Sequence, residues 1–149
     1  MNVKCINNRG AYPLLVLPID NTQKTDEDNF VSSNDWYTID SVTSGYCLTI
    51  GRQYIVYGVM IYQSQTRFLV LNDQGNPYFM PSELFANSDI AMYWDWEERH
   101  FYVDIMECKI LASAELISSY DDLVSLVSLD ENAFRRFLDY KKFIDEYFI

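Results

Sequence analysis

Between Leu48 and Phe85 the chain reads LTIGRQYIVYGVMIYQSQTRFLVLNDQGNPYFMPSELF, and this stretch limits what the rest can be. Branched and aromatic side chains dominate it in two runs, Tyr54–Tyr62 and Arg67–Leu71, and such residues suit a pleated, half-buried surface. A polar break over Gln63–Thr66 separates the runs. Asn72-Asp73-Gln74-Gly75-Asn76-Pro77 then supplies turn chemistry, because Gly and Asn accept positive φ. A third short strand follows. Pro81-Ser82-Glu83-Leu84-Phe85 fits one helical turn, Pro being tolerated at its first position, with Leu84 and Phe85 folding back on the core. The pattern predicts a tight antiparallel meander, the centre of a small barrel.

Upstream, Val3–Ile6 reads as a first strand closed by Asn7-Asn8-Arg9-Gly10. Leu14–Leu17, bracketed by Pro13 and Pro18, reads as an edge or non-strand segment. Residues 20–35 carry turn formers and five acids, Asp26-Glu27-Asp28 among them, and predict a long exposed loop. Trp36–Asp40 alternates as a strand. Downstream, Asp89–Trp96 and Phe101–Leu111 predict a hairpin whose tip is Glu97-Glu98-Arg99. The period then changes. Tyr120, Leu123, Val124 and Val127 share a helical face behind a Ser118-Ser119 cap. Ser128-Leu129-Asp130-Glu131 matches a capping box for a second helix running to about Tyr147. Ala133, Phe137, Tyr140 and Ile144 form its apolar seam, broadened by Phe134, Leu138 and Phe148. Arg135/Asp139, Lys141/Asp145 and Lys142/Glu146 stand four apart in the weaker base-first order.

The chain has 149 residues, enough for one domain with a sizeable core. Apolar residues make up 49 % and aromatics 16 %, which a folded protein carries and a disordered one does not. No apolar run approaches the length that crosses a bilayer, and Met1–Cys5 lacks the apolar centre of a signal peptide. The expected compartment is the cytoplasm. Cys5, Cys47 and Cys108 are odd in number and far apart, which fits free thiols better than disulfides or a metal set. The net charge is −11, and it is localised. Residues 20–40 hold six acids and one base, residues 73–107 eight acids and one base, and the remainder is nearly neutral. Such a surface repels nucleic acid and attracts a basic protein, speeding encounter with it.

Catalytic signals are sparse. The single histidine, His100, stands next to Arg99 and the Glu97-Glu98 pair and reads as a surface residue of an acidic tip. A Ser or Cys nucleophile would need that same His, or an unmarked Lys. The pairs Asp95/Glu97 and Asp26/Asp28 could hold a divalent ion or act as acid and base, but neither has a calcium-loop or glycine-turn context. No phosphate-cradling glycine motif is present. We therefore expect no enzyme, metal or cofactor, and rank a small hydrolase last. Tyr93-Trp94-Asp95-Trp96 sets aromatics among acids, the composition of a binding anchor with an electrostatic rim. Tyr54, Tyr57 and Tyr62 are candidates for exposure on the barrel.

Leu48-Thr49-Ile50-Gly51-Arg52-Gln53-Tyr54, Phe68–Asp73 and Tyr78–Phe85 together resemble a group of small bacterial SH3-like barrel proteins with an LTxGKxY, YLIxNDxG, WYPxxLF progression. In that pattern the Gly closes a turn before the first long strand and the Pro starts a helical turn that plugs the barrel; Gly51 and Pro81 stand in those places. Arg52 replaces the usual Lys, and Phe79-Met80 the Trp-Tyr. The resemblance covers about forty residues, and Leu116–Leu123 with the final helix is similar to tails of some members. It implies an α+β chain of one domain, 1–149: a β-rich SH3-like barrel over 1–111 and a helical pair over 116–148. Small size, acidity and few cysteines also resemble immunity proteins of contact-dependent or polymorphic toxin systems. That resemblance implies a protein that neutralises a toxin domain, a basic nuclease, by covering its active site, with no nucleic-acid or membrane partner. The expected contacts are Asp26, Glu27, Asp28, Asp95, Trp96, Glu97 and Glu98. A non-catalytic SH3-like adaptor that binds a peptide is the alternative.

Overall fold

A computed structural model describes residues 2–9, 15, 17, 46–87, 93, 95–103 and 105–147. Among these residues eight strands and two α-helices follow in the order β1 (Asn2–Cys5), β2 (Gln53–Ile55), β3 (Gly58–Tyr62), β4 (Gln65–Leu71), β5 (Pro77–Pro81), β6 (Phe85–Asn87), β7 (Trp96–Val103), β8 (Met106–Ser113), α1 (Tyr120–Val127) and α2 (Glu131–Tyr147). The class is α+β. The expected barrel is not closed: the strands form a three-stranded sheet, β2-β1-β6, and a five-stranded sheet, β5-β4-β3-β8-β7, all antiparallel.

The cause lies in the stretch expected as one strand, Tyr54–Tyr62. It breaks at Val56-Tyr57, leaving β2 in the small sheet and β3 in the large one. Gly58 permits the crossing. A Cβ there would sit 3.2 Å from the Ala112 Cβ and 3.4 Å from the Leu111 carbonyl oxygen. Side chains then alternate between two cores. Val59, Phe68, Val70 and Met80 meet Val3, Cys5, Tyr54, Leu84 and Phe85 in one. Met60, Leu69, Phe79, Cys108, Ile110 and Ala112 meet Leu123, Leu126, Phe137, Tyr140 and Ile144 in the other. The five-stranded sheet is thus the middle layer, which is why Phe68-Leu69-Val70-Leu71 is apolar without alternation. All three thiols are free, and burial pushes Cys108 up to about 12.

Turns tie the meander. Gln63 and Ser64 both take positive φ, 55° and 59°, so β3 and β4 join through a two-residue mirror-type turn. The polar break is therefore shorter than expected, and Gln65 and Thr66 belong to β4. Asn72 Oδ1 accepts from the Gln74 and Asn76 backbone N–H groups, and Gly75 stands at φ +82°. Asp73 then gathers the residues that carry the barrel-like motif. Thr49 Oγ1 donates to it at 2.7 Å, the Tyr54 hydroxyl at 2.6 Å and the Arg52 guanidinium at 2.9 Å. Gly51, at φ +90°, lets the chain turn back to make these contacts. The spacing of that motif is structural: it is a clasp.

Burial would raise the Asp73 carboxyl, but the Thr49 and Tyr54 hydrogen bonds and the Arg52 charge outweigh it and hold it below the usual range. A depressed carboxyl stabilises above its unfolded value of about 4 and loses that contribution as pH falls through the folded value. Asp73→Ala should cost about 1–2 kcal/mol at pH 7, the partly exposed ion pair adding little to the two hydrogen bonds. In urea titrations at pH 7 and pH 3, the gap between variant and parent should shrink at the lower pH.

The helices follow their expected faces, with two local differences. Ser119 caps α1, its Oγ accepting from the Asp122 N–H at 3.1 Å. At α2 the cap is Asp130 rather than Ser128: Asp130 Oδ2 accepts from the Asn132 and Ala133 N–H groups, while Ser128 ends α1. Leu129 at φ 60° makes the turn between them and moves Ser128 out of reach. The seam Ala133, Phe137, Tyr140 and Ile144 is buried, and Leu138 is exposed. Arg135 reaches back to Glu131 at 3.3 Å, the better acid-first order, rather than forward to Asp139. Lys141 pairs with Asp145 as expected.

Candidate functional site

The expected hairpin is displaced. Glu97, Glu98 and Arg99 lie within β7, and the chain turns between Val103 and Met106. Register follows burial. Pairing Phe101 with Cys108 and Glu97 with Ala112 puts Val103, Cys108, Ile110 and Ala112 on the face that meets the helices.

The candidate residues therefore separate. Asp26, Glu27 and Asp28, with all of 20–35, lie outside the described residues, as does the strand expected at 36–40. Trp96 is buried in the core between the sheets, edge-on to Tyr93 at 5.6 Å. Tyr54, Tyr57 and Tyr62, the candidates for exposure on the barrel, are buried as well. Glu97 and Glu98, as strand neighbours, point to opposite faces. Nor do the described acids of 73–107 make one patch; Asp89 and Asp104 lie outside the described residues. Asp73 belongs to the clasp, Glu83 accepts from Gln65 Nε2 at 3.1 Å, and Glu98 and Glu107 sit on the sheet face away from the helices.

Asp95 and Glu97 stay together, and they gain a third acid. With Ser113, Ala114, Glu115 and Phe143 they line a cleft of about 440 Å³, where the start of β7, the end of β8 and the side of α2 meet. Each wall has a local cause. Asp95 is held by the Tyr140 hydroxyl, which donates to its Oδ1 at 3.2 Å. Glu115 projects from a turn closed by Leu116 and Ile117 N–H groups on the Ser113 carbonyl. Phe143 lies one helical turn from Tyr140 and stacks at a tilt on it. Glu115 and Phe143 were missed by sequence reading. Only the period placing Phe143 beside the Tyr140 seam hinted at one of them.

The cleft offers negative charge. Burial, then the charges of Asp145 and Asp95, push the Tyr93 hydroxyl up. Tyr140 is raised also, chiefly by burial. Both phenols are neutral donors at pH 7. Among the described residues no three His, Cys, Asp or Glu side chains come together as metal ligands. Three carboxylates spread around an aromatic wall suit a larger cation, such as an ammonium or guanidinium on a long stem.

His100 stands mid-strand on the opposite face. Its Nε2 meets Glu98 at 2.8 Å and its Nδ1 meets Glu107 at 2.9 Å, while Lys109 also reaches Glu98 at 3.1 Å. Carboxylates only accept, and neutral imidazole has a single N–H, so the full clamp needs the charged ring. The Glu98 and Glu107 hydrogen bonds raise its pKa. A raised histidine stabilises fully below its unfolded value of about 6.5 and loses that contribution as pH rises through the folded value. The His100 ring protons, followed by NMR, should titrate above that value, and Glu107→Gln should lower the midpoint. A parent midpoint below it would contradict the clamp.

Among the described residues no helix is long and apolar enough to cross a membrane. Comparison with models of known families, with curated proteins and with solved structures finds no match.

Proposed function

We propose that the protein is a non-catalytic binder of a basic protein, and that its role is that of a cytoplasmic immunity protein covering the active site of a toxin domain, a nuclease. The observation that carries this reading is the cleft lined by Asp95, Glu97, Glu115 and Phe143, in which Glu97 also holds Arg99 at 2.8 Å. A nuclease holds its substrate's phosphates with Lys and Arg, and carboxylates can take the place of those phosphates. Attraction between the charged surfaces sets the rate of encounter, and the aromatic wall with the desolvated ion pairs sets the rate of release. The SH3-like peptide-binding adaptor has less support, since the tyrosines that would line a barrel groove are inside.

The test is co-expression with the toxic C-terminal domain encoded beside the gene. The two should co-purify, growth should be rescued, and association should slow as salt rises. A gene neighbourhood without such a toxin, or a complex whose formation ignores salt, overturns the reading.

A further inference from the structure

The free edge of β7 suggests how a partner reaches the cleft. Among the described residues β7 is the outermost strand of the large sheet and pairs with β8 alone. Val103 and Met106 pair with only two residues between them, so they must exchange both backbone hydrogen bonds. Alternating from there, Phe101, Arg99 and Glu97 bond to β8, whereas Glu98 and His100 turn their N–H and C=O groups outward. Both are exposed. The other edges among the described residues are poorer templates. β5 starts and ends in proline and packs against α1, and β2 and β6 have three residues each.

An edge of eight residues invites added strands unless charge selects them. Here the selection favours basic segments. Asp95, Glu97, Glu98, Glu107 and Glu115 surround the edge; its cations Arg99, Lys109 and the charged His100 are already paired to Glu97, Glu98 and Glu107, which leaves Asp95 and Glu115 without an ion pair among the described residues. Register adds the decisive point. Residues opposite each other on neighbouring strands share a face. A residue opposite Glu97 would send its side chain to the helix side of the sheet, where the cleft opens beside Glu97 itself. A residue opposite Glu98 would lie on the other face, beside the His100 clamp.

We propose that the outer edge of β7 takes an extended basic segment of the partner protein as a sixth strand, with one Lys or Arg opposite Glu97 lowered between Asp95, Glu97 and Glu115. This rests on the basic-partner reading above and specifies its geometry. Backbone pairing holds the segment, and the cleft chooses the side chain.

The probe is a capped nine-residue peptide alternating Thr and Val with Arg at its centre, compared with the same peptide carrying Gln there. The Arg peptide should slow amide exchange at Glu98 and His100 in the intact chain and bind at least about tenfold tighter than the Gln peptide. Glu98→Pro removes an outward N–H without taking a bond from β8, and should weaken peptide binding at least about tenfold. Glu98→Gln keeps the N–H and loses only a charge, and should weaken binding by clearly less than Glu98→Pro does. Peptide binding without protection at Glu98 and His100 overturns the proposal, and that measurement on the parent chain stands whether or not Glu98→Pro folds. Protection that rises with protein concentration alone assigns the edge to a second copy and overturns it too. A toxin domain that binds Glu98→Pro as tightly as the parent defeats the edge alone. A toxin domain that binds neither defeats the basic-partner reading.

Discussion

Phe137→Ala should remove about 3–5 kcal/mol of stability, a large part of what a domain of this size possesses. The ring is fully buried at the middle of α2 and meets Tyr57 edge-on, centroids 5.0 Å apart. Tyr57 belongs to the two-residue crossing between the sheets, so this aromatic pair fastens the helical layer to the point where the chain changes sheet. The helix cannot supply the loss itself. No basic residue stands in its last turn, and Asp145 and Glu146 face the negative end of its dipole. The variant's urea midpoint should fall far below the parent's. Leu138→Ala, one residue along and exposed, should cost less than about 1 kcal/mol. Similar losses at both positions would mean that the buried face of α2 is assigned wrongly.

The triple variant Asp95→Asn, Glu97→Gln, Glu115→Gln should bind its basic partner about 100-fold more weakly, which corresponds to about 3 kcal/mol. It should also lose much of the salt dependence of association, because the charges that salt would screen are gone. Stability should change little, since Asn at 95 keeps an oxygen for the Tyr140 hydroxyl and Glu97 and Glu115 are exposed. The control is Asp121→Asn, Asp139→Asn, Glu146→Gln, three exposed acids on the helices. It changes the net charge equally and should leave affinity within about threefold. Equal losses from both triples would assign the effect to net charge and remove the cleft from the interface. Affinity unchanged in the first triple would do so outright.

Legibility divides along the range of the forces involved. The extended character of the meander, the turn after Leu71, the helical turn at Ser82–Leu84, the Ser119 cap and the seam of α2 could be read because each depends on neighbours within a few residues, whereas the break within Tyr54–Tyr62 could not. Misreadings arose where two local signals competed. Ser128 and Asp130 both suit a cap, and the positive φ at Leu129 decided for Asp130. Glu97-Glu98-Arg99 looks like a turn by polarity, yet pairing with β8 made it strand. Nothing local distinguished Trp96 as a surface anchor from Trp96 as core.

By itself, then, the amino-acid sequence determined an acidic α+β chain with antiparallel strands ahead of two amphipathic helices, because propensity, periodicity and capping act over short separations. Tertiary structure alone decided that the strands split into two sheets at Val56-Tyr57, that β7 came to the edge of the sheet among the described residues, and that Glu115 and Phe143 joined Asp95 and Glu97 around one cleft. The reason is that packing, unlike propensity, acts between residues far apart in the chain. The acids were visible in the sequence, but only the pairing of β7 with β8 brought them to one cleft, and the docking of α2 set Phe143 beside them.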